Sequence, residues 1–324
     1  MRGRLAPSPT GLVHVGNART ALIAWLSVRS RGGTLVWRLE DLDTARVVPG
    51  LAEAAEEDLA WLGLDWDESP SLGGPFAPYA QSQRTTRYDD ALLALERAGR
   101  VFPCPLSRRD LQGIATAPHG GATEAPYPRE LRPTTVDTRW LAELRAGTRK
   151  DAAVRFRVDD APVAFCDRVY GAISERVGDT VGDFVLRRRD GLYAYQLAVV
   201  ADDIAMGIDD VVRGADLLDS TARQIQLIEA LGGVRPEYAH VPLVRNARGE
   251  KLSKRDAGLT VRSSREAGVR AETIVGYLAH SSGLIDRIED VQPHELVDAF
   301  AWQRIARADL VSPDDLVGRL LQGR

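Results

Sequence analysis

The chain has 324 residues, enough for two compact domains or one large catalytic domain with an insertion. Its 44% hydrophobic content and mixed charge are ordinary for a globular protein, and two cysteines (Cys104 and Cys166) exclude a disulfide framework and point to a reducing cytoplasm. The net charge of −4 does not mark a nucleic-acid binder, although arginines gathered on one face would still allow RNA to dock.

No apolar run approaches the roughly 18 residues of a membrane span. The N-terminus runs through Arg2 and Arg4 into a Pro-Ser-Pro turn, without the apolar core of a signal peptide. The first elements read as follows. A strand ends across Arg4 to Pro7, and a Pro/Ser/Gly loop leads to a helix from about Gly16 or Asn17 to the Gly32-Gly33 pair. Leu35 to Glu40 forms a strand. Strand, glycine-containing loop, helix and strand are the opening of a nucleotide-binding α/β sheet. Pro49 opens a helix carrying Leu51, Ala55, Leu59 and Leu62, and Tyr88 to Ala98 forms another, closed by Gly99.

Further along, Asp67 to Pro78 reads as a surface loop, and Gly113 to Pro133 as a mobile excursion within an insertion over residues 101–179. Leu197 to Val200 has the apolar run of a buried parallel strand. Asp219-Ser220 caps a helix through Leu231, and the segment after Leu259 reads as helical.

Two constellations carry chemistry. In Pro7-Ser8-Pro9-Thr10-Gly11-Leu12-Val13-His14-Val15-Gly16-Asn17, Gly16 permits close approach of a ligand, and the helix behind it aims its amides at phosphates. His14 and Asn17, three apart, share a face and offer donors to ATP. The second is Lys251-Leu252-Ser253-Lys254-Arg255. Only Lys150, Lys251 and Lys254 are lysines in a chain otherwise basic through arginine. A flexible ammonium suits a migrating phosphate charge, and arginine replaces it imperfectly.

His14 to Asn17 and Lys251 to Arg255 resemble the HIGH and KMSKS signatures of class I aminoacyl-tRNA synthetases. Arg4 to Gly11, Arg38 to Asp43, Gln81 to Arg84, Tyr195 to Asp203 and Val212 to Asp216 resemble the glutamyl branch. Arg213-Gly214-Ala215-Asp216-Leu217-Leu218-Asp219-Ser220-Thr221 is similar to glutamyl-queuosine tRNA(Asp) synthetases, which lack the anticodon-binding domain. The resemblance implies a Rossmann-like class I catalytic domain of the α/β class (1–100 and 180–259), an inserted α+β subdomain (101–179) and a short helical C-terminal segment (260–324).

It also implies a cytoplasmic monomer that uses ATP and Mg2+ to activate L-glutamate without tRNA. The glutamyl group then passes to the queuosine base of tRNA(Asp). Arg4 and Arg213, with Ser8 and the Tyr195 hydroxyl, would bind the substrate, the two arginines neutralising its side-chain carboxylate. Glu40 would face its ammonium. His14, Gly16, Asn17, Lys251, Ser253 and Lys254 would hold ATP, with Lys254, His14 and Asn17 catalytic. A shortened glutamyl-tRNA synthetase and a catalytically idle RNA-binding paralogue are the competing readings.

Many members of the branch carry zinc on a Cys-x-Cys pair and a later Tyr-x-x-x-Cys. Here Leu106 and Leu131 stand where two of those cysteines would be, beside Cys104 and Tyr127, so no zinc is expected. Candidate RNA contacts are the arginines of the insertion and Arg187-Arg188-Arg189, the latter equally readable as a hairpin tip.

Overall fold

The computed structural model describes the chain except residues 108–109, 112–125, 137, 149–150, 253–256 and 323–324. Most of the expected Gly113 to Pro133 excursion lies outside the described residues. The chain opens with β1 (Arg2–Leu5), α1 (Val15–Arg29), β2 (Thr34–Trp37), α2 (Leu51–Trp61) and α3 (Thr85–Arg97). There follow β3 (Val101–Cys104), α4 (Thr138–Arg145), β4 (Ala153–Phe156), β5 (Val163–Asp167), β6 (Gly171–Glu175) and β7 (Phe184–Arg187). Then come α5 (Tyr195–Ala205), β8 (Asp210–Gly214), α6 (Thr221–Ala230), β9 (Glu237–Val241) and β10 (Val244–Arg245). The described chain closes with α7 (Val261–Glu266), α8 (Ala271–Ser281), β11 (Leu310–Val311) and α9 (Leu316–Leu321).

Six strands form the main sheet in the order β2-β1-β8-β9-β5-β6, all neighbours parallel except β6 against β5. The chain leaves β1 for β2 on one side and later returns as β8 on the other. That reversal opens a crevice beyond the carboxyl ends of β1 and β8, the usual ligand position of such sheets.

Side chains alternate between two cores. Leu35, Trp37, Val212, Ala239 and Val241 face α1 and α8, whereas Val36, Val211 and Tyr238 face α3, α5 and α6. Helix α1 is buried on nearly every side, from Ala21 through Val28. Gly3 lets it lie close to the sheet: a Cβ there would come within 2.4 Å of Val28 Cγ2.

Three expectations need correction. Leu197 to Val200 lies within helix α5, not in a strand. That helix packs on α3, α6 and β7, so its apolar residues are covered all round and show no helical period. The C-terminal segment is not helical throughout. After α8 it runs through short turns to β11, which pairs in parallel with β10, Val244 opposite Leu310 and Arg245 opposite Val311. Ser220 precedes α6 without a side-chain capping bond, its hydroxyl instead accepting from Gln196 Nε2 at 3.1 Å.

Strands β3, β4 and β7 form a separate antiparallel sheet, while the β5-β6 hairpin extends the main one. Among the described residues, no helix is long and apolar enough to cross a membrane.

Asp202 on α5 ties the two halves of one core together. It accepts from Arg84 Nε at 2.5 Å, Tyr88 Oη at 2.8 Å and Gln81 Nε2 at 3.0 Å, and both partners of the ion pair are wholly buried. Removing the carboxylate strands a guanidinium in the interior. Asp202→Ala is therefore expected to lower unfolding free energy by about 3–5 kcal/mol in a urea titration.

Candidate functional site

The crevice at the switch point is a cavity of about 440 Å³. Arg4 reaches it from β1, Glu40 from the chain after β2, Tyr195 from the first turn of α5, and Arg213 from β8. Ser8, His14, Gly16 and Asn17 line it from the loop and the start of α1, and Lys251 from the loop after β10. Nine of the expected site residues thus share one cavity. Ser253 and Lys254 lie outside the described residues.

His14 caps α1. Its backbone is extended, and its Nδ1 accepts from the Asn17 amide at 3.1 Å. A neutral ring using Nδ1 in this way carries its proton on Nε2. A Cβ at Gly16 would meet His14 Nδ1 at 3.1 Å and Val244 Cβ at 3.3 Å, so the glycine accommodates both the ring and β10.

The cations of the cavity are compensated unequally. Arg38, fully buried behind it, donates to Asp203 at 2.6 Å and to Glu40 at 3.2 Å. Burial pushes the Glu40 carboxyl above its ordinary value, with Arg38 and Arg4 opposing the shift. Arg4 donates to the Val212 carbonyl at 3.1 Å, and its Nε lies 3.6 Å from Asp203.

Arg213 differs. It is 5% exposed, yet its Nε meets His240 Nε2 at 3.0 Å, Nη1 meets Gln224 Oε1 at 2.6 Å and Nη2 meets Thr221 Oγ1 at 3.0 Å. Among the described residues none of its nitrogens contacts a carboxylate. One N–H on each terminal nitrogen remains for a ligand, since a guanidinium has five. Tyr195 stands within the fields of Arg213, Glu40 and Arg4. Burial raises its phenol, which stays a protonated donor at neutral pH.

At the rim, Lys251 Nζ pairs with Asp216 Oδ2 at 2.5 Å, across the mouth of the cavity. Sequence reasoning passed over His240 as a participant, and with it Asp167, Thr221 and Gln224. A lone histidine in a strand of apolar neighbours gives no sign of its partner.

A parallel sheet with a cavity at its switch point, a histidine capping the helix at the cavity floor and a lysine-bearing loop at its mouth define a class I aminoacyl-tRNA synthetase catalytic domain. Residues 1–304 match the family model described as tRNA synthetases class I (E and Q), catalytic domain. The glutamyl-Q tRNA(Asp) synthetase of Symbiobacterium thermophilum is 47% identical, over 99% of this chain and 98% of its own length. That of Nitratidesulfovibrio vulgaris is 46% identical, over 100% and 99%. The chain belongs to this class I synthetase family of ligases, within the glutamyl-Q tRNA(Asp) synthetase branch. Among solved structures, a glutamate tRNA ligase from Elizabethkingia meningosepticum in complex with its amino acid superposes with a TM-score of 0.85. It is 30% identical, and the match covers 99% of this chain and 69% of that one.

The four positions read for a zinc site (104, 106, 127 and 131) lie together. Cys104 Sγ lies 3.7 Å from the Tyr127 hydroxyl, which donates to the Leu131 carbonyl at 3.2 Å. Leu106 and Leu131 pack against both, with Phe102. One thiol, one phenol kept protonated by burial and two leucines do not fit a tetrahedral zinc ion. Among the described residues, no group of three or more His, Cys, Asp or Glu could hold a metal.

Several arginines fasten this region. Arg132 forms a two-pronged pair with Asp183 at 2.6 and 2.7 Å, Arg155 lies over the Tyr127 ring, and Arg100 pairs with Asp159. Arg187 to Arg189 do occupy a hairpin turn, with the Arg188 amide bonded to the Leu192 carbonyl at 2.7 Å. Prolonged chelation is expected to leave the melting temperature of the purified protein unchanged. A fall on chelation, reversed by added zinc, would contradict the misfit of these four residues to zinc.

Proposed function

We propose that the protein activates L-glutamate with ATP, without tRNA, and transfers the glutamyl group to the queuosine base in the anticodon of tRNA(Asp). The observation that carries this reading is Arg213: a buried cation held by three neutral groups and facing a cavity that also presents Arg4 and Tyr195. Such a group is completed by a ligand carboxylate, and a carboxamide would leave its charge unbalanced. Glu40 on the same cavity suits the substrate ammonium. The full-length similarity to relatives named for the same reaction supports the acceptor.

In the first step an oxygen of the substrate α-carboxylate forms a bond to the α-phosphorus of ATP as the α–β anhydride bond breaks. Glutamyl-adenylate and pyrophosphate result. The carboxylate is already a nucleophile, so the protein contributes positioning and charge stabilisation rather than a general base. His14 Nε2–H and the first amides of α1 donate to the nucleotide, and Lys254 and Lys251 stabilise charge on the departing phosphates. Mg2+ bound to ATP would neutralise part of the phosphate charge. In the second step a hydroxyl of the modified base displaces AMP.

ATP–pyrophosphate exchange with purified protein, glutamate and Mg2+, run with and without tRNA, tests the reading. Exchange without tRNA supports it. A requirement for tRNA(Glu) would indicate a shortened glutamyl-tRNA synthetase, and silence in both arms an idle paralogue. Two substitutions should separate binding from chemistry. Arg213→Gln is expected to raise the glutamate KM on the order of 100-fold. Lys254→Ala is expected to lower kcat on the order of 100-fold while leaving that KM nearly unchanged.

A further inference from the structure

Behind the cavity, a chain of polar groups crosses three neighbouring strands of the main sheet. Asp167 closes β5, His240 lies on β9 and Arg213 on β8. His240 is 0% exposed and Asp167 1%. Asp167 Oδ2 meets His240 Nδ1 at 2.7 Å, while Oδ1 accepts the Val169 and Tyr170 amides, each at 2.9 Å. The other ring nitrogen, Nε2, faces Arg213 Nε at 3.0 Å, with the Thr221 hydroxyl 3.3 Å away.

The hydrogen-bond roles are fixed by elimination. Arg213 Nε can only donate, so His240 Nε2 must present a lone pair. The proton then sits on Nδ1, where the Asp167 carboxylate accepts it. We propose that Asp167 and His240 are positioning residues for substrate selection: Asp167 sets the His240 tautomer, and His240 orients the guanidinium of Arg213 toward the side-chain carboxylate of glutamate. The proposal rests on reading the cavity as a glutamate site, and it assigns to a buried dyad a part in choosing acid over amide.

The surroundings support a neutral ring. Burial and the Arg213 charge lower the affinity of His240 for a second proton, Arg4 adds to this, and Asp167 opposes it. Burial alone would raise the Asp167 carboxyl, but the bonds from His240, Tyr170 and Val169 outweigh it and hold the group below its usual value. The Tyr238 ring, stacked 6.3 Å from His240, contributes no charge at neutral pH. Protonation of His240 removes the lone pair and turns two donors toward each other. Arg213 then loses its anchor as pH falls through the depressed range of His240, and glutamate binding weakens on the acid side.

Asp167→Asn is the decisive variant. Its amide nitrogen would donate to Nδ1 and drive the His240 proton onto Nε2, facing the Arg213 donor. In tRNA-free pyrophosphate exchange, the glutamate KM should rise about tenfold, the scale of one hydrogen bond to a charged group. The preference for glutamate over glutamine should fall in parallel, with kcat and the ATP KM little changed. His240→Gln, whose carbonyl can replace the Nε2 acceptor, should stay closer to the wild-type KM than the shorter His240→Asn.

A folded Asp167→Asn protein with wild-type glutamate KM and wild-type discrimination overturns the proposal. Should the variant not fold, nitrogen-15 spectra of histidine-labelled wild-type protein decide. His240 protonated on Nδ1 alone at neutral pH is the expected state, and an Nε2–H tautomer or an imidazolium refutes it. Absence of glutamate-dependent exchange by the wild type would instead defeat the reading of the cavity, while the tautomer measurement would still stand.

Discussion

Moving a guanidinium out of water costs several kcal/mol unless charge and hydrogen bonds are supplied around it. The centre of this protein meets that demand in two ways. Arg38 and Arg84 receive carboxylates from the adjacent residues Asp203 and Asp202 of α5. Arg213 donates three hydrogen bonds to neutral groups and, among the described residues, meets no carboxylate. The first two are thereby completed by the chain itself and serve the fold, whereas the third keeps a charge that the described residues do not balance. Helix α5 accordingly supplies Tyr195 to the cavity and the carboxylates that complete Arg38 and Arg84.

The rest of the architecture places Arg213 in the same cavity as the start of α1. Parallel β1 and β8 diverge at the switch point, so Arg4 and Arg213 emerge on the same side as the first turn of α1. His14 closes that turn and faces the same space. Residues supplied by stretches of chain far apart in sequence converge on one volume because the strands run in the same direction. In the neighbouring small sheet, arginine–carboxylate pairs and an aromatic–leucine cluster hold the region together.

Much of this was legible in the residues. The β1-α1-β2 opening announced itself through glycine placement and apolar spacing, and the cavity lining followed from the motifs around Arg4, His14, Glu40 and Arg213. Helix α5 was misread as a strand for a physical reason: Leu197 to Val200 are covered on every side, and full burial erases the period that separates helix from strand. Strand β11 escaped notice because two residues carry no alternation. The Asp167–His240 pair was invisible for another reason: its members are 73 positions apart, and pairing depends on strand order, which local pattern does not encode.

The pairing of β10 with β11 bears on how the molecule is made. Strand β10 carries the base of the lysine loop, yet its parallel partner lies near the end of the chain, and Leu310 also donates its amide to the Leu243 carbonyl. A ribosome delivers these partners at different times. While the nascent chain stops short of Leu310, the main sheet can already pair and the arginines can already gather, but the loop base has one edge open. Arrival of β11 follows that of every other described strand, so the strands carrying Arg4 and Arg213 can pair before β10 gains its parallel partner.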